Sequence, residues 1–108
     1  MKYKLARTNT FKRSYKKLKL DDNDELNYID VLYKLLNDIS LDAKYKDHQL
    51  KGNLSEFREC HIKPDLLLIY RIKDAYLELI DIESQVSYLN KINFYKREKI
   101  NSLLKEFI

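Results

Sequence analysis

Both histidines of the chain, His48 and His61, lie in the stretch from 47 to 72, together with its only glycine, proline and cysteine. An imidazole titrates near neutral pH, so it can take a proton from one group and give one to another. Cleavage of RNA needs a base for the ribose 2′-hydroxyl, an acid for the leaving oxygen and positive charge beside the phosphate. With the carboxylate of Asp65 in the same stretch, these residue types suit acid/base chemistry on a phosphodiester without a metal.

Each of these residues also has a structural interpretation. His48 can brace a loop that enters a sheet, and His61 can be a polar residue of a strand. Asp65 follows a proline, and Pro-Asp forms a good turn without any catalytic role, while Gly52 permits a positive φ. Two histidines and a carboxylate are also a metal-ligand set, but no supporting spacing motif accompanies them. The sequence therefore predicts neither a metal nor a cofactor.

The composition is that of one folded domain in a reducing compartment. The 108 residues are 44% hydrophobic and 35% charged, which suits one modest core. The single cysteine, Cys60, excludes an internal disulfide and a Cys-rich zinc site, and we expect it as a small core residue. No apolar run is long enough for a signal peptide or a membrane span. We expect a cytoplasmic protein that makes no contact with a membrane.

Charge is segregated along the first part of the chain. Residues 1–20 carry eight lysines and arginines and no acid, whereas residues 21–42 carry seven acids and one lysine. A basic surface is typical of nucleic-acid binders. An alternative is that two solvated helix faces attract each other across a helical hairpin. The first interpretation makes four residues candidates for binding RNA: Lys12, Arg13, Lys16 and Lys17.

Periodicity predicts the elements that must position these side chains. KYKLART suits a short strand, and residues 9–19 an amphipathic helix with Phe11, Tyr15 and Leu18 on its buried side, capped by Thr8 or Thr10. A second helix is predicted from about 24 to 39, since acidic residues favour a helix N-terminus. Its predicted buried stripe is Leu26, Ile29, Leu32 or Tyr33, Leu36 and Ile39.

The pattern then changes to strands. SEFRECHI, DLLLIYRI and AYLELIDI are expected to form a meander, and LLLIY, apolar on both faces, its central strand. The last residues suit a helix with Ile92, Tyr95, Lys99, Leu103 and Phe107 on one side. The order β-α-α-β-β-β-α predicts an α+β fold, with two N-terminal helices packed on one face of a small, mostly antiparallel sheet, plus a C-terminal helix. We expect residues 1–89 to form the main domain and residues 90–108 a helical extension of it.

The runs Y-K-D-H-x-L-x-G and R-E-C-H-I-x-P-D-x-L-L-I-Y resemble the YafQ branch of the RelE/ParE superfamily, type II toxins that cut mRNA on the translating ribosome. The resemblance extends over about residues 1–89. It implies that His48, His61 and Asp65 are catalytic and that no cofactor is needed. We add Arg58 to the residues expected to bind RNA. The implied partners are a cognate antitoxin, the ribosome and mRNA. The implied assembly is a monomer alone and a hetero-oligomer with the antitoxin.

The resemblance breaks in the last strand. The family's R-x-G-[ST]-H-x-x-L-F corresponds here to D-I-E-S-Q-V-S-Y-L, so that Asp81 replaces the arginine, Glu83 the glycine and Gln85 the histidine. The family's frequent tryptophan is Leu66. Loss of one preorganised charge-stabilising donor costs about 2.7–4 kcal/mol in the transition state.

Two functional hypotheses follow. In the first, the chain is a ribosome-dependent endoribonuclease in which other residues compensate for the lost arginine. In the second, it is a weakened or inactive relative that serves as an antitoxin-binding or repressor-complex subunit. The candidates for compensation besides Arg58 are Arg71, Gln85, Tyr88, Lys96 and Arg97.

Overall fold

The computed structural model describes residues 1–85 and 97–107. Within them the chain forms an α+β fold, which confirms the predicted class. The sheet order is β1-β5-β4-β3-β2, with β1 parallel to β5 and the other neighbours antiparallel. The elements are β1 (Lys4–Arg7), α1 (Asn9–Lys17), α2 (Asp22–Leu36), β2 (His48–Gln49), β3 (Arg58–Lys63), β4 (Leu66–Lys73), β5 (Tyr76–Ser84) and α3 (Arg97–Leu104).

Side-chain caps fix where the two N-terminal helices begin. Thr8 caps α1, because its Oγ1 accepts a hydrogen bond from the amide of Phe11 at 2.8 Å. The same hydroxyl donates to the carbonyl of Ile80 at 2.6 Å, which ties the start of α1 to β5. Asp21 caps α2 by accepting from the amide of Asp24 at 2.8 Å. The acidic run predicted to start α2 therefore acts partly as a side-chain cap.

The two faces of the sheet carry different cores. α1 and α2 cover one face, which we call the inner face, as predicted for these helices. α3 packs on the opposite face, through Ile100 and Leu103 against Phe57, Ile69 and Ile80. The helices are therefore not all on one side of the sheet. The buried residues of the inner face are Phe11, Tyr28, Val31, Leu35, Leu36, Tyr45, Cys60, Ile62, Leu66, Leu68, Tyr70, Leu77, Leu79 and Ile82.

The predicted buried stripe of α2 is wrong for most of its members. The residues of α2 that face the core are Tyr28, Val31, Leu35 and Leu36. By contrast Leu26, Ile29 and Tyr33 are 62%, 57% and 59% exposed, and Ile39 lies beyond the end of the helix, also exposed. Only Leu36 of the predicted stripe is buried, and Leu32 is partly buried. α2 thus has two apolar stripes, one facing the core and one facing outward.

β4 is the centre of the sheet, and its residues from Leu66 to Arg71 are buried on both sides, as predicted for LLLIY. A bulge interrupts its pairing with β5, since Ile69 pairs with Asp81 and Tyr70 with Leu79. Ile80 is the extra residue, and this shift brings Asp81 onto the face opposite α1 and α2. Within the described residues no helix is both long and apolar enough to cross a membrane.

Candidate functional site

The face of the sheet opposite α1 and α2 carries a set of polar side chains, and we call it the polar face. On β3, Cys60 and Ile62 enter the inner core, so the alternating residues Glu59 and His61 lie on the polar face. Strand pairing extends this set across the sheet. One row is His48, Glu59, Ile69 and Asp81, and a second is His61, Leu67 and Glu83.

The register makes His48 and His61 diagonal neighbours on adjacent strands, since His48 pairs with Glu59, two residues before His61. Such positions are about 7–8 Å apart. We call His48, Glu59, His61 and the turn at Asp65 the β3 half of the site. Asp81, Glu83 and Gln85 form the β5 half. The predicted pair of histidines is therefore brought together by two strands.

His48 is half-exposed, and both of its ring nitrogens face oxygen acceptors. Nδ1 lies 2.7 Å from the carbonyl oxygen of Lys46, and Nε2 lies 3.0 Å from Oε1 of Glu59. A protonated imidazole has two N–H donors and satisfies both contacts. Glu59 is buried, and its Oε2 has no hydrogen-bond partner among the described residues. This geometry suits an imidazolium, which is the form that can give up a proton.

His61 has the complementary arrangement. Its Nδ1 lies 3.2 Å from the carbonyl oxygen of Pro64, so that Nδ1–H can donate to it and Nε2 keeps its lone pair. This tautomer suits a general base. The carbonyl of Pro64, rather than the carboxylate of Asp65, holds the ring. Asp65 is exposed, and its Oδ1 lies 4.0 Å from Nζ of Lys63.

The loop that presents His48 is held from the inner face. Arg58 donates to both carboxylate oxygens of Asp47, at 3.3 and 3.2 Å, and the hydroxyl of Tyr70 donates to Oδ1 of Asp47 at 2.6 Å. Burial and the Asp47 hydrogen bond raise the pKa of Tyr70, while the hydrogen bond to Asp47 raises the pKa of Arg58. The guanidinium of Arg58 is therefore engaged on the side of the sheet away from the histidines.

The β5 half has no arginine facing the histidines among its described residues. Asp81 is only 2% exposed, and its Oδ1 accepts from the amide of Ile82 at 2.8 Å. Gln85 is exposed, and its amide donates to the carbonyl of Asp65 at 2.5 Å, which brings it beside the β3–β4 turn. Its backbone therefore lies beside the turn at Asp65, but a glutamine cannot supply a cation.

The other compensating candidates are engaged elsewhere or lie outside the described part of the chain. Arg71 is buried, donates to Glu78 at 2.6 Å, lies 3.7 Å from Glu56 and stacks 5.3 Å from the centre of the Phe57 ring. Tyr88 and Lys96 lie outside the described residues, as do the predicted helix residues Ile92 and Tyr95. Arg97 begins α3, but its side chain is not among those described.

Two concave surfaces flank the polar face, and sequence reasoning found neither. A groove of about 450 Å³ lies between α1 and the end of β5, and a pocket of about 200 Å³ lies at the edge of β3. Lysines or arginines line both of them. The groove is lined by Thr10, Arg13, Ser14, Lys17, Leu18, Ile82, Glu83 and Ser84. The pocket is lined by Asn27, Lys44, Tyr45, His61, Ile62, Lys63 and Pro64.

No group of three or more His, Cys, Asp or Glu side chains among the described residues is arranged to hold a metal ion. Gly52 has a φ of +65°, as the sequence predicted for this loop. Burial raises the pKa of the Cys60 thiol, which faces the inner core. The polar face offers imidazoles and carboxylates, and lysines and arginines line the concave surfaces beside it.

The chain is similar over most of its length to known bacterial toxins. A family model described as the bacterial toxin of type II toxin–antitoxin systems, YafQ, matches residues 3–87. A YafQ protein of Haemophilus influenzae is 41% identical over 66 residues, which are 56% of this chain and 65% of that protein. The mRNA interferase toxin YafQ of Escherichia coli K12 is 38% identical over 63 residues, 56% of this chain and 68% of that protein. The matched segment thus spans about two thirds of these relatives.

Solved structures match over a larger share. A metal-bound toxin from Helicobacter pylori has a TM-score of 0.69 and 37% identity, covering 79% of this chain and 97% of that one. YafQ in the DinJ–YafQ complex of E. coli has a TM-score of 0.64 and 26% identity, covering 79% and 96%. Helix and strand arrangement is therefore shared with these proteins across most of the chain.

Proposed function

Since the chain belongs to the YafQ family of bacterial type II toxins, we propose that it cleaves mRNA on the ribosome by acid/base catalysis. The observation that carries this proposal is the pair of histidines on the polar face, each held by hydrogen bonds to different partners. The E. coli relative is named an mRNA interferase, which supports the same reaction. The proposed place of action is the cytoplasm, where ribosomes work.

In the proposed reaction, Nε2 of His61 takes the proton from a ribose 2′-hydroxyl. The 2′-oxygen attacks the adjacent phosphorus, and the bond from phosphorus to the 5′-oxygen breaks. His48, which enters as the imidazolium, gives its Nε2 proton to that 5′-oxygen. The products are a 2′,3′-cyclic phosphate and a free 5′-hydroxyl, and no metal takes part. Glu59, 3.0 Å from His48, stabilises the charged ring before transfer.

Binding of RNA is assigned to α1. Lys12, Arg13, Lys16 and Lys17 form no ion pair within the described part of the chain, so their charges are available to phosphates. Arg13 and Lys17 line the groove beside β5, whereas Lys12 and Lys16 do not. We therefore propose that the first pair contacts the message and the second contacts ribosomal RNA. We do not assign Arg58 to this RNA-binding surface, because its guanidinium forms a salt bridge with Asp47.

The proposed partner is a cognate antitoxin, since the E. coli relative was solved in complex with DinJ. The apolar stripe of α2 that faces outward is further support for a protein partner. Leu26, Ile29 and Tyr33 follow the i, i+3, i+7 spacing by which an amphipathic segment docks on a helix, and each is more than half exposed. This apolar stripe would anchor the antitoxin on α2.

A second candidate function is a noncatalytic subunit of the toxin–antitoxin complex. The observation that favours it is Asp81, a buried carboxylate where the family pattern has an arginine. Near a phosphodiester a carboxylate opposes the charge that develops in the transition state. The outward-facing residues of α2, to which a partner would bind, do not include Asp81.

Induced expression in bacteria separates the two functions. The wild type is expected to arrest growth and to produce new mRNA ends with 5′-hydroxyl termini, which RNA-end sequencing detects. His61→Ala removes the base and is expected to abolish both effects, because general-base catalysis contributes about 10²–10⁴-fold. Circular dichroism controls for folding. Growth of wild-type cells at the uninduced rate, with unchanged mRNA ends, would favour the noncatalytic subunit.

A further inference from the structure

The polar face needs a cation that its strands do not supply. Asp81 occupies the position of the family's arginine, and the arginines nearest in sequence to the site, Arg58 and Arg71, are held by Asp47 and Glu78. Charge on the phosphate rises as the 2′-oxygen attacks, so a fixed cation close to the base would lower the barrier. The cation must therefore come from outside the strands.

The open edge of β3 provides such a position. β2 pairs only with Arg58 and Glu59, so within residues 1–85 and 97–107 the edge of β3 beyond them has no strand partner. The short helical turn Ala43–Tyr45 packs beside this edge and buries Tyr45 in the inner core. The pocket of about 200 Å³ forms between the turn and the edge, and His61 is one of its walls. A group bound there touches the catalytic base candidate.

Two lysines line this pocket, and they differ in how their charges are used. Nζ of Lys63 lies 3.2 Å from Asp24 and 4.0 Å from Asp65, and the hydrogen bond to Asp24 raises its pKa. Lys44 is exposed, lies 5.0 Å above the Tyr45 ring and forms no ion pair among the described residues. The hydrogen bond from Tyr45 lowers the pKa of Asp30, and the charge of Lys44 adds to this effect from a longer distance. Lys63 is therefore held in ion pairs with carboxylates, whereas Lys44 has no ion-pair partner there and can turn to a ligand.

We propose that this pocket is a phosphate subsite, in which Lys44 binds the RNA phosphodiester next to His61 and replaces the charge lost at Asp81. The inference rests on the proposed nuclease function and specifies which cation serves it. Lys44 contributes the positive charge, and His61 contributes the base. Lys63 stabilises the β3–β4 turn through its contacts with Asp24 and Asp65. The ligand class is the sugar–phosphate backbone of a single-stranded RNA.

Two measurements test the subsite on the full chain. Cleavage is followed at saturating enzyme on ribosomes programmed with a short mRNA. Binding is followed with a 2′-O-methyl RNA oligonucleotide, which lacks the nucleophile and cannot be cut. Lys44→Ala is expected to lower the cleavage rate on the order of a hundredfold, the effect of one preorganised donor. It should also reduce the slope of log affinity against log salt by about 0.7, the value for one phosphate contact on a single strand.

Matched variants separate a specific contact from a general loss of charge. Lys73→Ala removes the same charge from an exposed position at the far end of β4, outside the pocket, and is expected to behave as wild type. Lys44→Arg keeps the cation and should retain most of the cleavage rate. Equal losses from Lys44→Ala and Lys73→Ala would overturn the subsite. If the wild type binds the oligonucleotide but does not cleave mRNA, the nuclease function fails, and the salt slopes alone decide the subsite. If the wild type cleaves mRNA on ribosomes but does not bind the free oligonucleotide, the nuclease function stands, and the cleavage rates of the variants alone decide the subsite.

Discussion

The two halves of the polar face lie in the same sheet but are built in opposite ways. In the β3 half, His48 is exposed and His61 is partly buried, and hydrogen bonds to Glu59 and to backbone carbonyls fix their rings. In the β5 half, the residue in the family's arginine position, Asp81, is buried and its carboxylate accepts from the adjacent backbone amide. Groups that exchange protons with a substrate must reach it, and the two imidazoles meet that condition whereas Asp81 does not. The difference indicates that chemistry is concentrated on one side of the site.

The largest effect is expected from restoring the family's residues to the β5 half. Asp81→Arg places a cation at a position that is 2% exposed and removes the acceptor of the Ile82 amide. We expect a loss of about 3 kcal/mol in the free energy of unfolding, measured by urea denaturation. Gln85→His changes an exposed residue, so its effect should stay within about 0.5 kcal/mol. A stable Asp81→Arg protein would show that the β5 half still accepts the family's arginine.

A smaller effect is expected from neutralising one carboxylate in each half. Glu59→Gln weakens the charged partner of His48, so the cleavage rate on programmed ribosomes should fall about tenfold, within the range of a charge-assisted hydrogen bond. Glu83→Gln makes the same chemical change on the other side of the face. It should leave the rate unchanged or raise it, because a carboxylate repels phosphate. Equal losses from the two variants would remove the distinction between the halves.

The smallest effect concerns the groove that borders the β5 half. Arg13→Ala with Lys17→Ala should weaken binding of the 2′-O-methyl oligonucleotide several-fold and flatten its salt dependence by about 1.4, two single-strand contacts. Lys12→Ala with Lys16→Ala removes the same charge from the same helix outside the groove. This control should bind the oligonucleotide like wild type and instead lose affinity for ribosomes in sedimentation. Identical behaviour of the two pairs would mean that α1 binds RNA without a preferred face.

The two N-terminal helices show what sequence periodicity could and could not predict. α1 has one apolar stripe, and the buried Phe11 with the partly buried Tyr15 and Leu18 confirms it. α2 has two stripes on opposite sides, and periodicity gives no reason to choose between them. Only the packing of Val31 and Leu35 against the sheet makes that choice. The error is therefore one of orientation, while the existence of the helix was predicted correctly.

The candidate site was predictable where it depends on strand alternation. His61 and Glu59 share a face because they are two residues apart on one strand, and the sequence pattern contains that fact. The face of the sheet on which Asp81 lies was not predictable, because it follows from a bulge between β4 and β5. Lys44 was missed for a similar reason: it lies in a turn, and its position beside His61 is a tertiary contact that leaves no local signal.

The hydrogen-bonded group of Asp47, Arg58 and Tyr70 orders the backbone next to His48 when the protein folds, before any RNA binds. Asp47 immediately precedes His48, and its carboxylate is held from the far side of the sheet by a guanidinium and a phenol. Fixing the backbone of one residue costs about 1–2 kcal/mol of conformational entropy. Here that cost falls on folding, so His48 meets an incoming RNA strand with its backbone already restricted. If this loop became ordered only when RNA bound, the same entropy cost would weaken the binding of every substrate molecule.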